Sequence, residues 1–430
     1  MKRYAINRLI EWKDSKSRQP LIIRGARQVG KTWLMQEFGK LYFENVAYVN
    51  FDNNKKMQML FEEDYNIARL IEGLQAETGE KIKKQTTLII FDEVQEVPKA
   101  LSSLKYFDEN APEYAIIAAG SLLGVALHQG TSFPVGKVQF LNLYPLNFCE
   151  FLEAVGEENL VELLCKKDWK LISVFKTKYI DLLRKYYYVG GMPKAVAKYA
   201  ENRDYTEVRG IHEQILFAYE QDFSKHAPIN VVPRIRNLWG SIPAQLAREN
   251  KKFSPGIVQK GSRLKDYELA LQWLLDCGLL YKVKQINKPA IPLINYETDF
   301  FKIYIHDVGL LSTKTELDVK TLLEGNRIFE EFKGALTEQY VIQEMISNNI
   351  TPFYWSSNGQ AEVDVIFKHE SNVFPLEVKA EENLQSKSLK VYSEKFKPKI
   401  ALRTSMRDYR RENWLINIPL YAIGIDFLNE

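Results

Sequence analysis

The sequence predicts a multidomain α/β protein that begins with a doubly wound parallel sheet. Four short apolar segments, each typical of a β-strand, alternate with helical patterns within residues 1–144, and they are Leu21–Ile23, Val46–Phe51, Thr87–Phe91 and Tyr114–Ala119. The chain has 430 residues, of which 46% are hydrophobic, so it can form more than one sizeable core. We therefore expect about two to four domains.

Charge and cysteine content exclude several classes of protein. The 58 basic and 55 acidic side chains give a net charge of +3, which is typical neither of a strong nucleic-acid polymer binder nor of a trap for acidic substrates. Any nucleic-acid contact must therefore come from a local patch. The three cysteines, Cys149, Cys165 and Cys277, form no C-x-x-C pair, which indicates a reducing compartment and no disulfide or zinc framework. Because no apolar segment is long enough to cross a bilayer, we expect a cytoplasmic protein without membrane contact.

A glycine-rich loop directly follows the first predicted strand. Its residues match G-x-x-x-x-G-K-[ST] and open a predicted helix; they are Gly25, Ala26, Arg27, Gln28, Val29, Gly30, Lys31 and Thr32. The glycines let backbone N–H groups wrap a phosphate, and the helix N-terminus adds a partial positive charge. Lys31 would reach the β- and γ-phosphates of ATP, and the Thr32 hydroxyl would bind Mg²⁺. The alternative is a glycine-containing surface turn.

Polar residues follow two of the later predicted strands. Asp92 ends the third strand, where it would hold Mg²⁺ through water, and Glu93 beside it would polarise the attacking water. Ser121 follows the fourth strand and is a candidate sensor of the γ-phosphate, or else a turn or N-cap serine. The sequence therefore predicts that the ends of these strands complete the nucleotide site.

Two long segments have helical patterns. Lys55–Gly79, in the first domain, is predicted as one helix. Residues 145–226 are predicted as a helical lid subdomain that is broken at Gly190-Gly191-Met192-Pro193. The run Tyr186-Tyr187-Tyr188 in that lid is interpreted as core and interface in preference to a platform for base stacking.

Residues 227–313 have the outline of a winged helix-turn-helix. Three helical segments, Val231–Asn250, Ser254–Lys260 and Arg263–Cys277, precede a predicted ribbon of Gly278–Val283 and Phe300–His306. Basic residues near the candidate recognition helix could contact DNA phosphates, and they are Lys251, Lys252, Lys260, Arg263 and Lys265. The alternatives are a winged helix used for protein contact, or lysines on a solvated face.

Residues 314–430 resemble the PD-(D/E)XK nuclease core. A helix carrying Glu338 and Glu344 precedes strands that bear Asp364 and Glu377-Val378-Lys379, with Val363-Asp364 in place of proline-aspartate. Alternation would place Glu377 and Lys379 on one face, opposite Asp364. Asp364 and Glu377 would bind Mg²⁺, and Glu338 is a further candidate ligand. Lys379 would orient a water that attacks phosphorus, or help to deprotonate it. The alternative is a retained fold whose carboxylates and lysine pair with one another.

Five segments together resemble one known family. The series RGARQVGKT, FDEVQEVP, AAGSLLG, FPVGKVQFLNLYPLNFCEF and YVGGMPKAV resembles, in order, the prokaryotic AAA-type ATPases that carry a carboxy-terminal DUF4143 region, and the similarity covers essentially the whole chain. The resemblance implies the AAA fold, ATP binding and dependence on Mg²⁺. Relatives usually have Gly-Arg where this chain has Gly136-Lys137, and that arginine could act as a finger on the γ-phosphate. Lysine lacks the planar fork, so Lys137 fills the role less well or Arg24 or Arg27 replaces it.

These features together predict a Mg²⁺-dependent ATPase whose tail binds or cleaves nucleic acid. Because AAA-type sites often need an arginine from a neighbouring subunit, a homo-oligomer is expected. The main alternative is a nucleotide-dependent switch that binds DNA or a protein and cuts nothing. A phosphotransferase with the same loop is disfavoured by the Asp92-Glu93 pair.

Overall fold

A computed structural model describes residues 1–120, 134–324, 330–357, 361–380 and 386–425 of the chain. It divides the chain into two compact units. The first comprises Arg3–Tyr144 with Asp276–Gly278, and the second comprises Met1–Lys2, Pro145–Leu275 and Leu279–Glu430. Among the described residues, no helix combines the length and the apolar character that a membrane span requires.

The first unit is a parallel sheet with helices packed against it. Its elements are α1 (Ala5–Asp14), β1 (Leu21–Arg24), α2 (Lys31–Tyr42), β2 (Asn45–Asn50), α3 (Lys55–Glu63), α4 (Ile67–Thr78), β3 (Thr87–Asp92), α5 (Pro98–Asn110), β4 (Ala115–Ala119) and β5 (Gln139–Asn142). The strand order is β2-β3-β4-β1-β5, and every neighbouring pair is parallel. All residues of β3 and β4 are buried. This arrangement confirms the predicted P-loop α/β fold.

The helix predicted over Lys55–Gly79 is two helices in the structure, α3 and α4. The side chain of Asn66 accepts a hydrogen bond from the backbone N–H of Arg69 and so caps the start of α4. Asp64 in turn accepts from the N–H of Asn66 at 2.7 Å and from the Arg69 guanidinium at 2.9 Å. Asparagine and aspartate side chains favour such local hydrogen bonds to the backbone over positions inside a helix. They therefore break the helix between α3 and α4, although the apolar periodicity continues across the break.

The second unit joins many helices to one sheet. Its elements are α6 (Phe148–Ala154), α7 (Glu158–Lys166), α8 (Trp169–Val174), α9 (Lys176–Val189), α10 (Pro193–Asn202), α11 (Tyr205–His226), α12 (Val232–Leu246), α13 (Pro255–Val258), α14 (Glu268–Asp276), β6 (Leu280–Ile286), β7 (Glu297–Ile305), α15 (Val308–Lys314), α16 (Val319–Glu324), α17 (Glu330–Ser347), β8 (Phe353–Ser356), β9 (Glu362–His369), β10 (Asn372–Val378), α18 (Lys387–Phe396), β11 (Ala401–Ser405), β12 (Arg410–Arg411) and β13 (Leu415–Pro419). The strand order is β12-β13-β11-β10-β9-β8-β6-β7.

The ribbon expected as the wing of a winged helix is one end of this sheet. β6 and β7 are antiparallel, as predicted for a ribbon, but β6 also pairs in parallel with β8. The predicted division between residues 227–313 and 314–430 therefore runs through one continuous set of backbone hydrogen bonds. The helices before the ribbon are shorter than expected, and the predicted recognition helix at Arg263 begins instead at Glu268, where α14 starts.

The glycine pair that was predicted to break the helical segment lies at a backbone crossing. α9 ends at Val189 and α10 begins at Pro193. Gly191 accepts a hydrogen bond from the N–H of Leu146 at 2.7 Å and donates its own N–H to the buried carboxylate of Asp307 at 2.6 Å. Burial raises the pKa of Asp307 to about 6, although its backbone donors oppose that rise. The loop is thus tied to two distant segments of the second unit.

Buried polar groups continue around α9 and α17. Tyr186, Tyr187 and Tyr188 are all buried, as expected for core residues. The hydroxyl of Tyr186 donates to the carbonyl of Leu146 at 2.5 Å. On α17, Glu344 is fully buried, and its Oε1 accepts a hydrogen bond from the N–H of Phe148 at 2.9 Å. Burial raises the pKa of Glu344 to about 8, so this carboxyl is neutral over much of the neutral pH range.

Replacing Glu344 with glutamine is expected to flatten the pH dependence of unfolding. Its folded pKa of about 8 exceeds the ordinary 4.5, so between these values the folded chain keeps a proton that the unfolded chain releases. Stability therefore falls as pH rises through this window, by up to about 1.4 kcal/mol per pH unit for one group. The glutamine amide carries no charge at any of these pH values.

The urea concentration at the midpoint of unfolding, measured at several pH values between about 6 and about 8, tests this prediction. The lower limit is the pKa of Asp307 and the upper limit is the pKa of Glu344. The wild-type midpoint should decline with pH more steeply than that of Glu344→Gln. Equal slopes for the two proteins would show that Glu344 does not retain its proton on folding.

Candidate functional site

The phosphate loop of the first unit connects β1 to α2. Its backbone takes left-handed conformations at Gly30, with φ of 93°, and at Gln28, with φ of 68°. Gly25 has a φ of 151°, and an added Cβ there would collide with the carbonyl oxygen of Leu143. Glycine is therefore required at Gly25 for space, and it is the residue that best tolerates the backbone of Gly30.

Lys31 lies folded over this loop. Its side chain is buried, with 7% exposed, and its Nζ donates to the carbonyl oxygens of Gly25 and Ala26, each at 2.9 Å. Burial lowers its pKa to about 8, although Glu93 and Asp92 act against that shift. A buried ammonium satisfied by two loop carbonyls is well placed to exchange them for phosphate oxygens, so the loop fits a nucleotide.

Thr32 and Asp92 meet as the sequence predicted. The Thr32 hydroxyl donates to Oδ2 of Asp92 at 2.7 Å, and the hydroxyl of Tyr48 donates to the same oxygen at 3.0 Å. The other oxygen of Asp92 accepts the N–H of Glu93 at 3.1 Å. A hydroxyl and a carboxylate side by side are hard oxygen ligands that suit Mg²⁺. Tyr48, on the adjacent strand β2, was not identified from the sequence.

Glu93 follows Asp92 directly and adopts a left-handed backbone conformation, with φ of 51°. The side-chain amide of Gln95 donates to Oε2 of Glu93 at 2.7 Å. This bond holds the carboxylate of Glu93 in one orientation. Gln95 is the second residue that sequence reasoning missed, although it lies within the FDEVQEVP segment.

The structure separates Lys137 from the phosphate loop of its own chain. Lys137 precedes β5, whose first residue pairs with the first residue of β1, whereas the loop follows the last residue of β1. In parallel strands these two positions lie at opposite ends of the strands, Lys137 at the amino-terminal end and the phosphate loop at the carboxy-terminal end. Lys137 instead pairs with Asp108 at 3.6 Å and Glu109 at 3.2 Å, at the end of α5.

Three further residues of the first domain, Arg24, Arg27 and Ser121, were predicted as candidates to act on the γ-phosphate. Arg24 ends β1, next to the loop, and its guanidinium stacks on the ring of Phe140 at 3.5 Å from the centroid. Arg27 is exposed within the loop itself. Ser121, the predicted sensor, lies outside the described residues.

The second unit brings the nuclease-like residues together. Asp364 on β9 accepts the N–H of Val378 at 2.8 Å, and Lys379 Nζ pairs with Oε1 of Glu377 at 2.7 Å. Glu377 and Lys379 therefore share a face of the sheet, as alternation predicted. Glu338, from α17, lies over the same face. We call these residues and the charged groups paired with them the carboxylate cluster, whose members are Glu338, Glu362, Asp364, Glu377, Lys251, Lys302 and Lys379.

Two lysines that were not expected in this cluster hold Glu338. Its side chain is 2% exposed, and it accepts from Lys302 at 2.9 Å and from Lys251 at 2.6 Å. The hydroxyl of Tyr304 adds a third bond at 2.5 Å. Burial alone would raise the pKa of Glu338, but Lys251 and Lys302 outweigh it and hold the pKa well below the usual range. Lys251 was predicted as a DNA contact and is instead an ion-pair partner.

The remaining carboxylates of the cluster are less well compensated. Burial and the nearby charges of Glu377 and Glu338 raise the pKa of Asp364 to about 8, and burial likewise raises the pKa of Glu377. Oε2 of Glu377 is buried and has no hydrogen-bond partner among the described residues. Within the same residues, no three histidine, cysteine, aspartate or glutamate side chains are grouped as a metal site. A cation here would have two carboxylates, from Asp364 and Glu377, as its protein ligands.

The other predicted DNA contacts lie at the surface. Lys260, Arg263 and Lys265 are exposed. Lys252 is half-buried, with its ammonium 4.5 Å from the ring centroid of Phe300, an exposed aromatic residue on β7.

Comparison with known families identifies three regions of the chain. Residues 17–152 match the family described as an AAA domain. Residues 180–321 match a domain of unknown function, DUF8612, and residues 333–422 match another, DUF4143. No curated protein matches the chain.

Several solved structures resemble the chain at low sequence identity. A Walker-type ATPase of Pyrococcus abyssi is 15% identical with a TM-score of 0.44, over 73% of this chain and 95% of the other. The Orc1 protein of Aeropyrum pernix, in complex with DNA, is 13% identical with a TM-score of 0.27, over 73% and 91%. The RuvB Holliday junction branch migration motor of Thermotoga maritima is 11% identical with a TM-score of 0.28, over 67% and 90%.

The family matches agree with the motifs at both ends of the chain. The AAA match contains the phosphate loop together with Asp92 and Glu93, and the DUF4143 match contains Glu338, Asp364, Glu377 and Lys379. The chain therefore has an AAA-domain match towards its amino-terminal end and a DUF4143 match towards its carboxy-terminal end, which confirms the resemblance seen in the sequence.

Proposed function

We propose that the chain binds and hydrolyses Mg²⁺-ATP and that nucleotide state controls the binding or cleavage of nucleic acid by its carboxy-terminal region. The observation that supports the ATPase most directly is the Thr32–Asp92 hydrogen bond of 2.7 Å beside the phosphate loop. This bond supports the proposal because it joins the two side chains that would hold Mg²⁺, and Thr32 directly follows the lysine that would hold the phosphates.

Each residue of the first site has a distinct role in this proposal. The loop N–H groups and Lys31 would bind the β- and γ-phosphates, while Thr32 and Asp92 would hold Mg²⁺, which would offset the phosphate charge. Glu93, held by Gln95, would accept a proton from the attacking water. Because Lys137 lies at the opposite end of the strands from the phosphate loop, the positive charge on the γ-phosphate would come from Arg24 or Arg27, or from an arginine of a second subunit in a homo-oligomer.

Lys31→Ala is expected to weaken ATP binding by about tenfold or more, because the variant loses a charge-assisted bond to phosphate. Isothermal titration with Mg²⁺-ATP measures the affinity. Lys40→Ala is the matched control, since Lys40 is an exposed lysine in the last turn of the same helix. Equal affinities for Lys31→Ala and the control would contradict the proposed loop chemistry.

For the carboxy-terminal region, the proposal rests on the grouping of Asp364, Glu377 and Lys379 on one sheet face. Asp364 and Glu377 would bind one divalent ion, which would polarise a phosphodiester, and Lys379 would orient the attacking water. Cleavage of single- and double-stranded DNA and RNA should be measured with Mg²⁺ or Mn²⁺, with and without ATP. Cleavage that Lys379→Ala abolishes and Lys31→Ala modulates would establish a nuclease controlled by ATP.

A second candidate function is a nucleotide-dependent switch whose nuclease fold is silent. The observation that favours it is the pairing of Glu338 with Lys251 and Lys302, since ion pairs within the chain satisfy a carboxylate that a nuclease could use for metal. In that case wild type cleaves nothing under any of these conditions, while Glu93→Gln traps ATP and changes affinity for DNA or for a protein partner.

A further inference from the structure

Lys302 is a buried cation at the centre of the carboxylate cluster. Its side chain is 1% exposed, and its Nζ lies 2.9 Å from Oε1 of Glu338 and 2.7 Å from Oε1 of Glu362. The ring of Tyr354 lies beneath the ammonium, 4.9 Å away at its centroid. One ammonium therefore joins a carboxylate from α17 to a carboxylate from β9, as a bridging metal ion would do.

The bonds around Glu338 leave little room for a metal ion. Oε1 accepts from Lys302 and from the Tyr304 hydroxyl, which uses both of its lone pairs, and Oε2 accepts from Lys251. Removing either lysine to admit an ion would leave a buried charge without its partner, which is costly.

The segment that carries Lys251 is fixed to the edge of the sheet. The N–H of Phe253 donates to the carbonyl of Phe301 on β7 at 2.8 Å, and the two aromatic rings stack with centroids 5.2 Å apart. Lys252 lies over the ring of Phe300, the preceding residue of the same strand. These contacts direct Lys251 towards Glu338, so both lysines are built into the cluster.

The charges of the cluster determine how many cations it can take. With every carboxylate of the cluster ionised, as binding of a cation requires, four carboxylates face three ammonium groups, which leaves one negative charge within the carboxylate cluster. One divalent ion would make the balance positive by one, which a phosphodiester anion would neutralise. A second divalent ion would add two further positive charges to a buried site, beside Arg403, whose backbone position is opposite that of Glu377 in the register of β10 and β11.

We propose that Lys302 supplies the positive charge that a second divalent cation would otherwise supply, so that the cluster binds a single divalent cation between Asp364 and Glu377. The inference deepens the function proposed for the carboxy-terminal region and rests on it. Asp364 and Glu377 would hold the ion, which would keep water ligands and could accept a substrate phosphate oxygen, as is usual for Mg²⁺.

Electron paramagnetic resonance measures how many Mn²⁺ ions bind per chain and so tests the inference directly. The starting protein is the full chain without nucleotide and with Thr32→Ala, which removes a metal ligand of the ATP site. One Mn²⁺ per chain is expected, and Asp364→Asn should weaken it by about tenfold or more. Glu338→Gln should still bind one Mn²⁺, because Glu338 is not a ligand. Lys302→Arg should also bind one, whereas Lys302→Met should take up a second.

The matched control is Lys282→Met, on the neighbouring strand, where the ammonium lies over the ring of Phe301 on the other face of the sheet. This variant should bind one Mn²⁺. Two ions in the starting protein, reduced to one by Glu338→Gln, would overturn the inference, as would a folded Lys302→Met that still binds one. If the starting protein binds no Mn²⁺, or if Asp364→Asn leaves binding unchanged, the proposed metal site itself fails. If Lys302→Met does not fold, the counts for Glu338→Gln and the starting protein decide.

Discussion

Glu93→Gln is expected to slow ATP hydrolysis by about a hundredfold or more while ATP remains bound. The carboxylate of Glu93 lies at the carboxyl end of β3, beside Asp92, and Gln95 holds it at 2.7 Å. A glutamine amide has the same size but cannot accept the proton of the attacking water. The phosphate loop, Thr32 and Asp92 are unchanged in this variant, so the affinity for Mg²⁺-ATP should stay within a few-fold of wild type.

Single-turnover release of phosphate measures this effect, and a fluorescent ATP analogue measures binding in parallel. Glu96→Gln is the matched control, because Glu96 is an exposed glutamate three residues along the same turn. Loss of hydrolysis in both variants would point to a change of local structure. Unchanged hydrolysis in Glu93→Gln would remove Glu93 from the catalytic group.

Gly191→Ala is expected to destabilise the second unit by about 3 kcal/mol or more, or to prevent its folding. An added Cβ would collide with the carbonyl oxygen of Leu146 and lie 2.7 Å from its nitrogen. Both neighbours are backbone atoms and cannot rotate away. Any shift that relieves the collision also strains the bonds from Leu146 to Gly191 and from Gly191 to the carboxylate of Asp307.

Gly210→Ala is the control for this substitution. Gly210 lies inside α11 and an added Cβ there meets no atom within 4 Å, so alanine should stabilise the helix by about 1 kcal/mol. Urea unfolding followed by circular dichroism compares the two variants with wild type. Equal midpoints for Gly191→Ala and wild type would show that the backbone crossing relaxes at no cost.

The arrangement of the candidate nucleotide site was largely predictable because its residues are contiguous in sequence or follow a rule of parallel sheets. The phosphate loop is contiguous, from Gly25 to Thr32, and the carboxyl ends of parallel strands meet at one edge, which brings Asp92 to Thr32. Tyr48 was missed because alternation along β2 alone does not show which residue reaches the neighbouring strand end. Lys137 was given the role of the arginine finger from the family resemblance alone. The register of β5 on β1 places it at the end of the strands opposite the phosphate loop.

The carboxylate cluster was predictable only in part. Alternation placed Glu377 with Lys379, but the lysines that hold Glu338 come from segments about 36 and 87 residues away in sequence. Their approach depends on the pairing of β6 with β8, which no local pattern shows. A signal for Lys302 did exist, since it interrupts the apolar strand FFKIYI, and a lysine in a buried strand needs a partner.

The pairing of β6 with β8 also limits how the carboxy-terminal region can be exchanged between proteins. The DUF4143 match begins at residue 333, beyond both strands of the ribbon. A fragment cut at that point would leave β8 as an unprotected edge, open to pairing with other chains, and would lack Lys302 and Tyr304. The family match therefore covers only part of one continuous sheet, and we expect that transfer of the region to another protein would require the ribbon to be included.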